Sequence, residues 1–233
     1  MLKNIIIVGL TILLPAIRSS AQTLNFEGTD FEISNVKASV VNFEGVNVMK
    51  VERDLTKIPF DIKHLEKTVD EPTFVKIKDF NFENGNIEVK VYSQIQDPSP
   101  FEFAQGFIGL AFRITPDNTT FESIYLRPKV GRSDNQAHRN KTVQYFSYPD
   151  YKFERLRKEY QNQYETASPI ALREWITMRI EIKGEKAELY INNSKYSTLM
   201  VNKLLGSSKN GSIGLWVDIG TIGYFKDLKI TKS

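Results

Sequence analysis

The stretch that decides the fold lies near the end of the chain and reads GSIGLWVDIGTIGYFKDLKI at positions 211–230. Residues 213–217 form an apolar run, and residues 225–230 follow the pattern F-x-x-L-x-I; we interpret both stretches as β-strands. The glycines at 211, 214, 220 and 223 permit tight turns and close approach of backbones. We therefore predict that two strands at this end complete a β-structure.

The same strand patterns recur upstream, with turn residues spaced about 8 to 12 positions apart, as in sandwiches and barrels. Residues 107–114 are almost continuously apolar, which indicates a central strand covered on both faces. We predict an all-β fold, a two-sheet antiparallel β-sandwich. The other predicted strands cover residues 36–41, 46–51, 87–95, 124–126, 143–146, 175–182 and 187–191.

Two segments do not follow this pattern. Residues 53–72 carry mixed charge and weak periodicity, so we predict a long loop. Residues 150–160 fit a helix, through Phe153, Leu156 and Tyr160 after an Asp150 N-cap, but they also fit a strand. Both alternatives remain open for this second segment.

The first 21 residues, MLKNIIIVGLTILLPAIRSSA, have the pattern of a signal peptide. Lys3 provides the positive start, and the apolar run that follows is too short to cross a bilayer. We expect a single domain over 22–233, exported to the periplasm or beyond the cell, with no membrane span in the mature protein. An exported chain without cysteine is more typical of bacteria than of eukaryotes.

Composition excludes several classes of site. The absence of cysteine removes disulfides, thiol catalysis and cysteine-bound metals, and two histidines cannot form a three-histidine metal site. A formal charge of +3 is too small for a general nucleic-acid binder, which needs a concentrated basic face. We expect no nucleic-acid partner. We also expect no cofactor, although a structural calcium ion remains an open alternative.

Several blocks resemble a known superfamily. GSIGLW at 211–216 with FKDLKI at 225–230 resembles the closing hairpin of concanavalin A-like jelly rolls. EWITMRIEIKG at 174–184 with AELYIN at 187–192 is similar to the hairpin before it. FENGNIEV at 82–89 resembles an early strand of laminin G-like and 3-keto-disaccharide hydrolase-like domains, and 106–113 resembles the next core strand.

This resemblance to the concanavalin A-like lectin/glucanase superfamily implies a jelly roll. The superfamily contains lectins, carbohydrate-binding modules, glycanases, lyases and adhesion domains, so the fold alone leaves the function open. Its familiar glycanases carry the pattern E-x-D-x-x-E on one strand, and this sequence does not contain it.

The unusual part of the chain is residues 125–165, which are rich in Arg, Tyr, Asn and Gln. Arginine provides a planar set of donors for carboxylates or sugar hydroxyls, and tyrosine provides a flat face for a pyranose ring. We expect the ligand on the concave sheet face. The candidate ligand-binding residues are Arg113, Tyr125, Arg127, Arg132, Arg139, Gln144, Tyr145, Tyr148 and Tyr151.

The charge of this region suggests which ligand it binds. Residues 127–159 hold nine basic and four acidic side chains, a local charge of +5. This excess favours an acidic or hydroxyl-rich ligand. The alternative is that the arginines and tyrosines pair with acidic residues of an ordered loop. Those acids are Asp134, Asp150, Glu154 and Glu159.

Catalytic residues are harder to assign. His138 is the one group in this region that titrates near neutral pH, so it is the candidate acid or base, with Asp150 as a second candidate. Asp134, Asn135 and Asp150 offer oxygen ligands for calcium, although their spacing matches no known calcium loop. Carbohydrate binding without catalysis is the first hypothesis. A glycoside hydrolase or polysaccharide lyase is the second, and an adhesive module is the third.

Overall fold

The computed structural model describes residues 22–233, so the predicted signal peptide at 1–21 lies outside the described residues. The described chain forms fifteen strands and three short helices. The strands are β1 (Thr23–Phe26), β2 (Thr29–Ser34), β3 (Val36–Phe43), β4 (Val46–Arg53), β5 (Phe74–Ile77), β6 (Gly85–Ile95), β7 (Ile108–Ile114), β8 (Phe121–Leu126), β9 (Val143–Tyr148), β10 (Glu165–Thr166), β11 (Ile176–Lys183), β12 (Lys186–Ile191), β13 (Leu199–Val201), β14 (Ser212–Val217) and β15 (Thr221–Lys232). The helices are α1 (Leu65–Thr68), α2 (Gln136–Arg139) and α3 (Phe153–Glu159).

The strands build two antiparallel sheets. The eight-stranded sheet has the order β1-β2-β5-β14-β7-β8-β9-β10, and the seven-stranded sheet has the order β13-β12-β11-β6-β15-β4-β3. The predicted all-β, two-sheet antiparallel β-sandwich is confirmed. The segment resembling a closing hairpin differs in one respect, because β14 pairs with β5 and β7 whereas β15 pairs with β4 and β6. The turn between β14 and β15 therefore crosses from one sheet to the other.

The two sheets pack through one face of each. Val217 and Ile108 point from the eight-stranded sheet toward β15, where Gly223 leaves room for them. A Cβ atom at Gly223 would lie 2.6 Å from Cγ1 of Val217, so a larger residue there would push the sheets apart. These side chains belong to the main hydrophobic core of the sandwich.

The outer faces of the two sheets differ. In β11 the residues alternate between buried and partly exposed, as expected for a sheet with one face toward solvent. In β7, β8 and β14 every residue is buried, so the middle of the eight-stranded sheet is covered on both faces. The prediction of a fully covered strand at 107–114 agrees with this arrangement.

Two segments provide that cover. The first is residues 54–73, which contain the loop predicted over 53–72 except for Arg53, the last residue of β4. This segment is mostly irregular and includes α1 and a 3-10 turn at Ile62–His64. Residues 150–160 contain α3, so the helical alternative is the correct one. Asp150 does not cap this helix, whose N-cap is Lys152. Instead, Asp70 from the other segment accepts a hydrogen bond from the Phe153 backbone N–H at 2.8 Å.

Within residues 22–233, none of the helices has the length and apolar character needed to cross a membrane.

Candidate functional site

An aromatic layer lies on the outer face of the eight-stranded sheet. Strand pairing places Tyr125, Gly109 and Trp216 side by side on this face, because Gly109 is opposite each of the other two. The Tyr125 and Trp216 rings are 4.9 Å apart, and Phe146 packs against both. Trp216 donates a hydrogen bond from Nε1 to the carbonyl oxygen of Glu71 at 2.8 Å, so the 54–73 segment sits directly on the layer.

A cleft of about 260 Å³ opens at one end of this layer. Its floor holds Tyr125, Arg127, Asp70 and Asp218. Four phenylalanines supply apolar walls around these polar groups, and such a combination is typical of small-ligand sites. The lining residues outside the floor, including these phenylalanines, come from four segments of the chain. They are Phe101, Phe103, Phe107, Phe153, Leu65, Val69, Gln105, Val130, His138, Lys141 and Arg157.

Arg127 is the buried cation of the cleft, with 4% of its surface exposed. It donates from Nη1 to the Lys141 carbonyl oxygen at 2.7 Å, and from Nη2 to the Tyr125 hydroxyl and to Oε1 of Gln144 at 3.4 Å. All three acceptors are neutral. Among residues 22–233, no carboxylate forms an ion pair with Arg127, and burial lowers the pKa of its guanidinium.

Asp70 is the carboxylate of the cleft whose charge is least compensated. It is buried, and its Oδ2 accepts the Phe153 N–H. Within the described chain its Oδ1 receives no hydrogen bond and its carboxylate forms no salt bridge. Burial, helped by the nearby negative charge of Asp218, raises the pKa of Asp70 to about 6. Its backbone φ is +54°, a left-handed conformation that is uncommon outside glycine.

Asp218 has a different environment although it lies in the same cleft. Its Oδ1 accepts hydrogen bonds from Arg53 Nη1 at 2.6 Å and from the Ile219 N–H at 2.7 Å. Its Oδ2 accepts the Asp70 N–H at 2.8 Å. The ion pair with Arg53 is buried on both sides. Asp218 is therefore a fully engaged structural acid that fixes the position of Asp70.

The mouth of the cleft carries the remaining charges. His138 is exposed on α2 and lines the opening together with Lys141. Arg157 comes from α3, where its Nε donates to Oε2 of Glu165 at 2.9 Å and its guanidinium lies 5.1 Å from the Phe153 ring. The structure thus brings three of the predicted residues to one cleft, namely Tyr125, Arg127 and His138.

Three other predicted residues are buried away from the cleft. Arg113 donates to the carbonyl oxygens of Glu83 and Gly184 at 3.0 and 2.7 Å, so it ties two turns together. Tyr145 points between the sheets, where its hydroxyl bonds to Glu122. Gln144 donates to the Tyr145 and Tyr164 carbonyl oxygens at 2.8 and 3.3 Å, while its Oε1 orients Arg127.

The remaining predicted residues are dispersed over the surface. Tyr148 stacks on Phe121 at 5.0 Å, and the Tyr151 ring lies 4.2 Å from the Arg155 guanidinium. Arg132 and Arg139 are exposed, and Arg132 pairs with Glu174 at 2.9 Å. Asp150 is exposed in a separate charged depression that it shares with Lys152 and Arg155. The structure does not bring these residues to the cleft.

Sequence reasoning missed Asp70, Asp218 and the phenylalanines of the cleft. Asp218 comes directly after the apolar run of β14. A charged residue at the end of a strand is the sequence feature that could have indicated a functional position there. Asp70 lies in a segment without periodicity, and nothing in the sequence links it to β14. Phe101 and Phe103 lie in an irregular segment, where Phe103 is 61% exposed.

No group of three or more acidic or histidine side chains that could hold a metal ion occurs within residues 22–233. Of the calcium candidates, Asp134 and Asn135 lie at the start of α2, where the Asn135 side chain caps the helix by accepting the Ala137 N–H at 2.9 Å. Asp150 lies apart from them, in the depression that it shares with Lys152 and Arg155.

Comparisons with known proteins agree with the fold. No family model matches the chain, and a search of curated proteins found no match. Among solved structures, the carbohydrate-binding module CBM66 from Bacillus subtilis is 11% identical, with a TM-score of 0.51 over 84% of this chain and 94% of that one. A B. subtilis protein of unknown function with a galectin-like fold is 10% identical, with a TM-score of 0.48 over 85% and 87%. A Bacillus licheniformis β-glucanase is 11% identical, with a TM-score of 0.44 over 94% and 95%.

At 11% identity the likeness to the CBM66 module shows a shared jelly-roll sandwich. The predicted jelly-roll sandwich is thus supported, and membership of the concanavalin A-like superfamily stays a prediction.

Proposed function

We propose that this protein binds an acidic saccharide in the cleft over Tyr125 and Arg127. The observation that carries this proposal is the state of Arg127. Its guanidinium is buried in the floor of an open cleft and has only neutral hydrogen-bond acceptors among the described residues. A buried charge is costly without an opposite charge, so the carboxylate of a ligand would stabilise this site.

The walls of the cleft suit a sugar ring. The Phe103 ring is largely exposed beside the opening, and Phe107 and Phe153 also line the cleft. The flat apolar face of a pyranose packs well on such rings, while its hydroxyls need polar partners nearby. Asp70 and Gln105 supply those partners. The name of the CBM66 module, which has the same kind of fold, also supports a carbohydrate ligand.

The charge balance of the cleft favours an acidic sugar over a neutral one. Asp218 is neutralised by Arg53, and Arg157 is neutralised by Glu165. Of the remaining groups, Arg127 and Lys141 are positive, and Asp70 is the one lining acid that forms no salt bridge within residues 22–233. The raised pKa of Asp70 weakens its negative charge further near pH 6. A uronic acid, whose ring carries a carboxylate, fits this balance.

The test is calorimetric titration with three uronate oligosaccharides, from pectate, alginate and hyaluronan, against a neutral cello-oligosaccharide of equal length. We expect at least one uronate oligosaccharide to bind and the neutral one to bind at least tenfold more weakly. The variant Arg127→Met should lose this preference. Arg132→Met is the matched control, because Arg132 is exposed and outside the cleft. Absence of binding by all three uronates, or equal binding to Arg127→Met, would overturn the proposal.

A further inference from the structure

Asp70 and Arg127 lie in the floor of the same cleft, one as a carboxylate with a free oxygen and the other as a cation without a carboxylate partner. We propose that the cleft cleaves its saccharide by β-elimination, with Asp70 as the base and Arg127 as the group that binds the uronate carboxylate. This inference rests on the proposed function, since it requires an acidic saccharide in the cleft.

The number of available carboxylates favours elimination over hydrolysis. Glycoside hydrolysis generally uses two carboxyl groups, one as an acid and one as a base or nucleophile. In this cleft Asp218 has both oxygens engaged by Arg53, the Ile219 N–H and the Asp70 N–H. Asp70 is then the one carboxylate lining the cleft, within the described chain, that is free to react. Elimination can proceed with one such group.

The chemical step balances without water or an added reactant. Oδ1 of Asp70 takes the proton from C5 of the uronate, the carbon that carries the carboxylate. The electron pair of that C–H bond forms a C4–C5 double bond, and the bond from C4 to the glycosidic oxygen breaks. The leaving oxygen then takes the proton from Asp70, which returns to its ionised form. Asp70 is thus base and acid in turn.

Arg127 makes the C5 proton acidic enough to be removed. In the free uronate, the negative carboxylate opposes a second negative charge on the neighbouring carbon. A guanidinium paired with that carboxylate compensates the charge that develops in the transition state, and it does so more strongly in a buried site than in water. Arg127 is held for this role by the Lys141 carbonyl oxygen, Tyr125 and Gln144.

Asp70 is also fixed in place. Its backbone N–H bonds to Asp218, and its Oδ2 bonds to the Phe153 N–H, so Oδ1 is the oxygen left for a substrate. Its left-handed φ of +54° is a strained conformation of the kind that occurs at functional sites. A pKa of about 6 means that the carboxylate is ionised at neutral pH and yet is a stronger base than an ordinary aspartate.

The experiment compares product formation and binding on the same samples. The wild-type protein is incubated with the uronate oligosaccharide that it binds, and the conjugated double bond of the product is followed by ultraviolet absorbance. Asp70→Asn is the test variant, because asparagine tolerates the left-handed conformation and can still accept the Phe153 N–H. Asp134→Asn is the matched control, since Asp134 is exposed and does not line the cleft.

We expect the wild type and Asp134→Asn to form the unsaturated product. Asp70→Asn should bind the oligosaccharide with an affinity within about threefold of the wild type and lose at least a hundredfold in rate. Binding without an unsaturated product, or new reducing ends without the absorbance, would overturn the elimination and leave the proposed function standing. Full activity in Asp70→Asn would overturn the role of Asp70. If no uronate binds, the proposed function fails and this inference fails with it.

Discussion

Arg53 Nη1 lies 2.6 Å from Oδ1 of Asp218, although 165 positions separate the two residues in the chain. The same guanidinium donates to the carbonyl oxygens of Thr68 and Pro59 at 2.6 and 2.9 Å. One buried side chain therefore joins the end of β4, the covering segment 54–73 and the end of β14. Through Asp218 it also sets the position of the Asp70 backbone.

The first prediction concerns this ion pair. Arg53→Met should lower the free energy of unfolding by about 3–5 kcal/mol, because it leaves Asp218 buried without its cation. The double variant Arg53→Met/Asp218→Asn should recover part of that loss, since it removes the unpaired charge. Urea denaturation followed by circular dichroism measures both. Equal midpoints for the single variant and the wild type would show that the pair does not stabilise the fold.

The second prediction concerns pH. Burial raises the pKa of Asp70 to about 6, with a smaller contribution from Asp218, against weaker opposing effects of the Phe153 N–H, Arg127 and Lys152. The folded state thus binds the proton more tightly than the unfolded state, so the free energy of unfolding falls as pH rises from 3.8 to about 6. This loss amounts to roughly 3 kcal/mol and persists at higher pH.

Asp70→Asn removes this titration. The variant should therefore unfold at a higher urea concentration than the wild type at pH 7.5, and the difference should shrink as the buffer approaches about pH 4. Asp134→Asn, with its exposed side chain, should follow the wild type at every pH. A constant difference between Asp70→Asn and the wild type across this range would show that Asp70 has an ordinary pKa.

The third prediction concerns Phe103, whose side chain lines the cleft and is 61% exposed. Phe103→Ala should weaken saccharide binding by about threefold to tenfold, the loss of one aromatic contact. Its unfolding free energy should change by less than ~0.5 kcal/mol, as is usual for surface positions. Tyr196→Ala is the control, because Tyr196 is 73% exposed and does not line the cleft. Calorimetric titration with the saccharide should show weaker binding for Phe103→Ala and wild-type affinity for Tyr196→Ala.

The fourth prediction separates core tyrosines from cleft tyrosines. Tyr145 accepts the Leu205 N–H at 2.7 Å and donates to Glu122, so its hydroxyl serves two buried partners between the sheets. Tyr145→Phe should lower the free energy of unfolding by about 1–3 kcal/mol, because those partners lose a hydrogen bond. Saccharide affinity should stay the same. A drop in affinity without a loss of stability would place Tyr145 in the binding site.

The fold could be predicted well from the sequence because strand patterns are local. The apolar run at 107–114 and the alternation at 175–182 are each visible within one segment, and they correspond to the observed strands β7 and β11. The sheet to which each strand belongs could not be deduced in the same way. β14 and β15 are adjacent in the chain and look like a hairpin, yet they lie in opposite sheets.

The candidate site could be predicted in part. The Arg and Tyr content of residues 125–165 was enough to indicate Tyr125 and Arg127, which the structure places in the floor of the cleft. Asp70 and Asp218 are 148 positions apart in the chain but are hydrogen-bonded in the fold. No local sequence pattern predicts a contact between residues so far apart. The burial of Arg113 and Tyr145 was missed for the same reason, since their partners Gly184 and Leu205 are distant in sequence.

The sequence contains two tryptophans, and they lie on opposite sides of the sandwich. Trp216 is buried beneath Glu71, 4.9 Å from the Tyr125 ring of the cleft floor, whereas Trp175 sits on the outer face of the seven-stranded sheet under Lys226. The variant Trp175→Phe would leave one indole emitter, directly under the cleft. Its intrinsic fluorescence then offers an optical signal for ligand occupancy that needs no label.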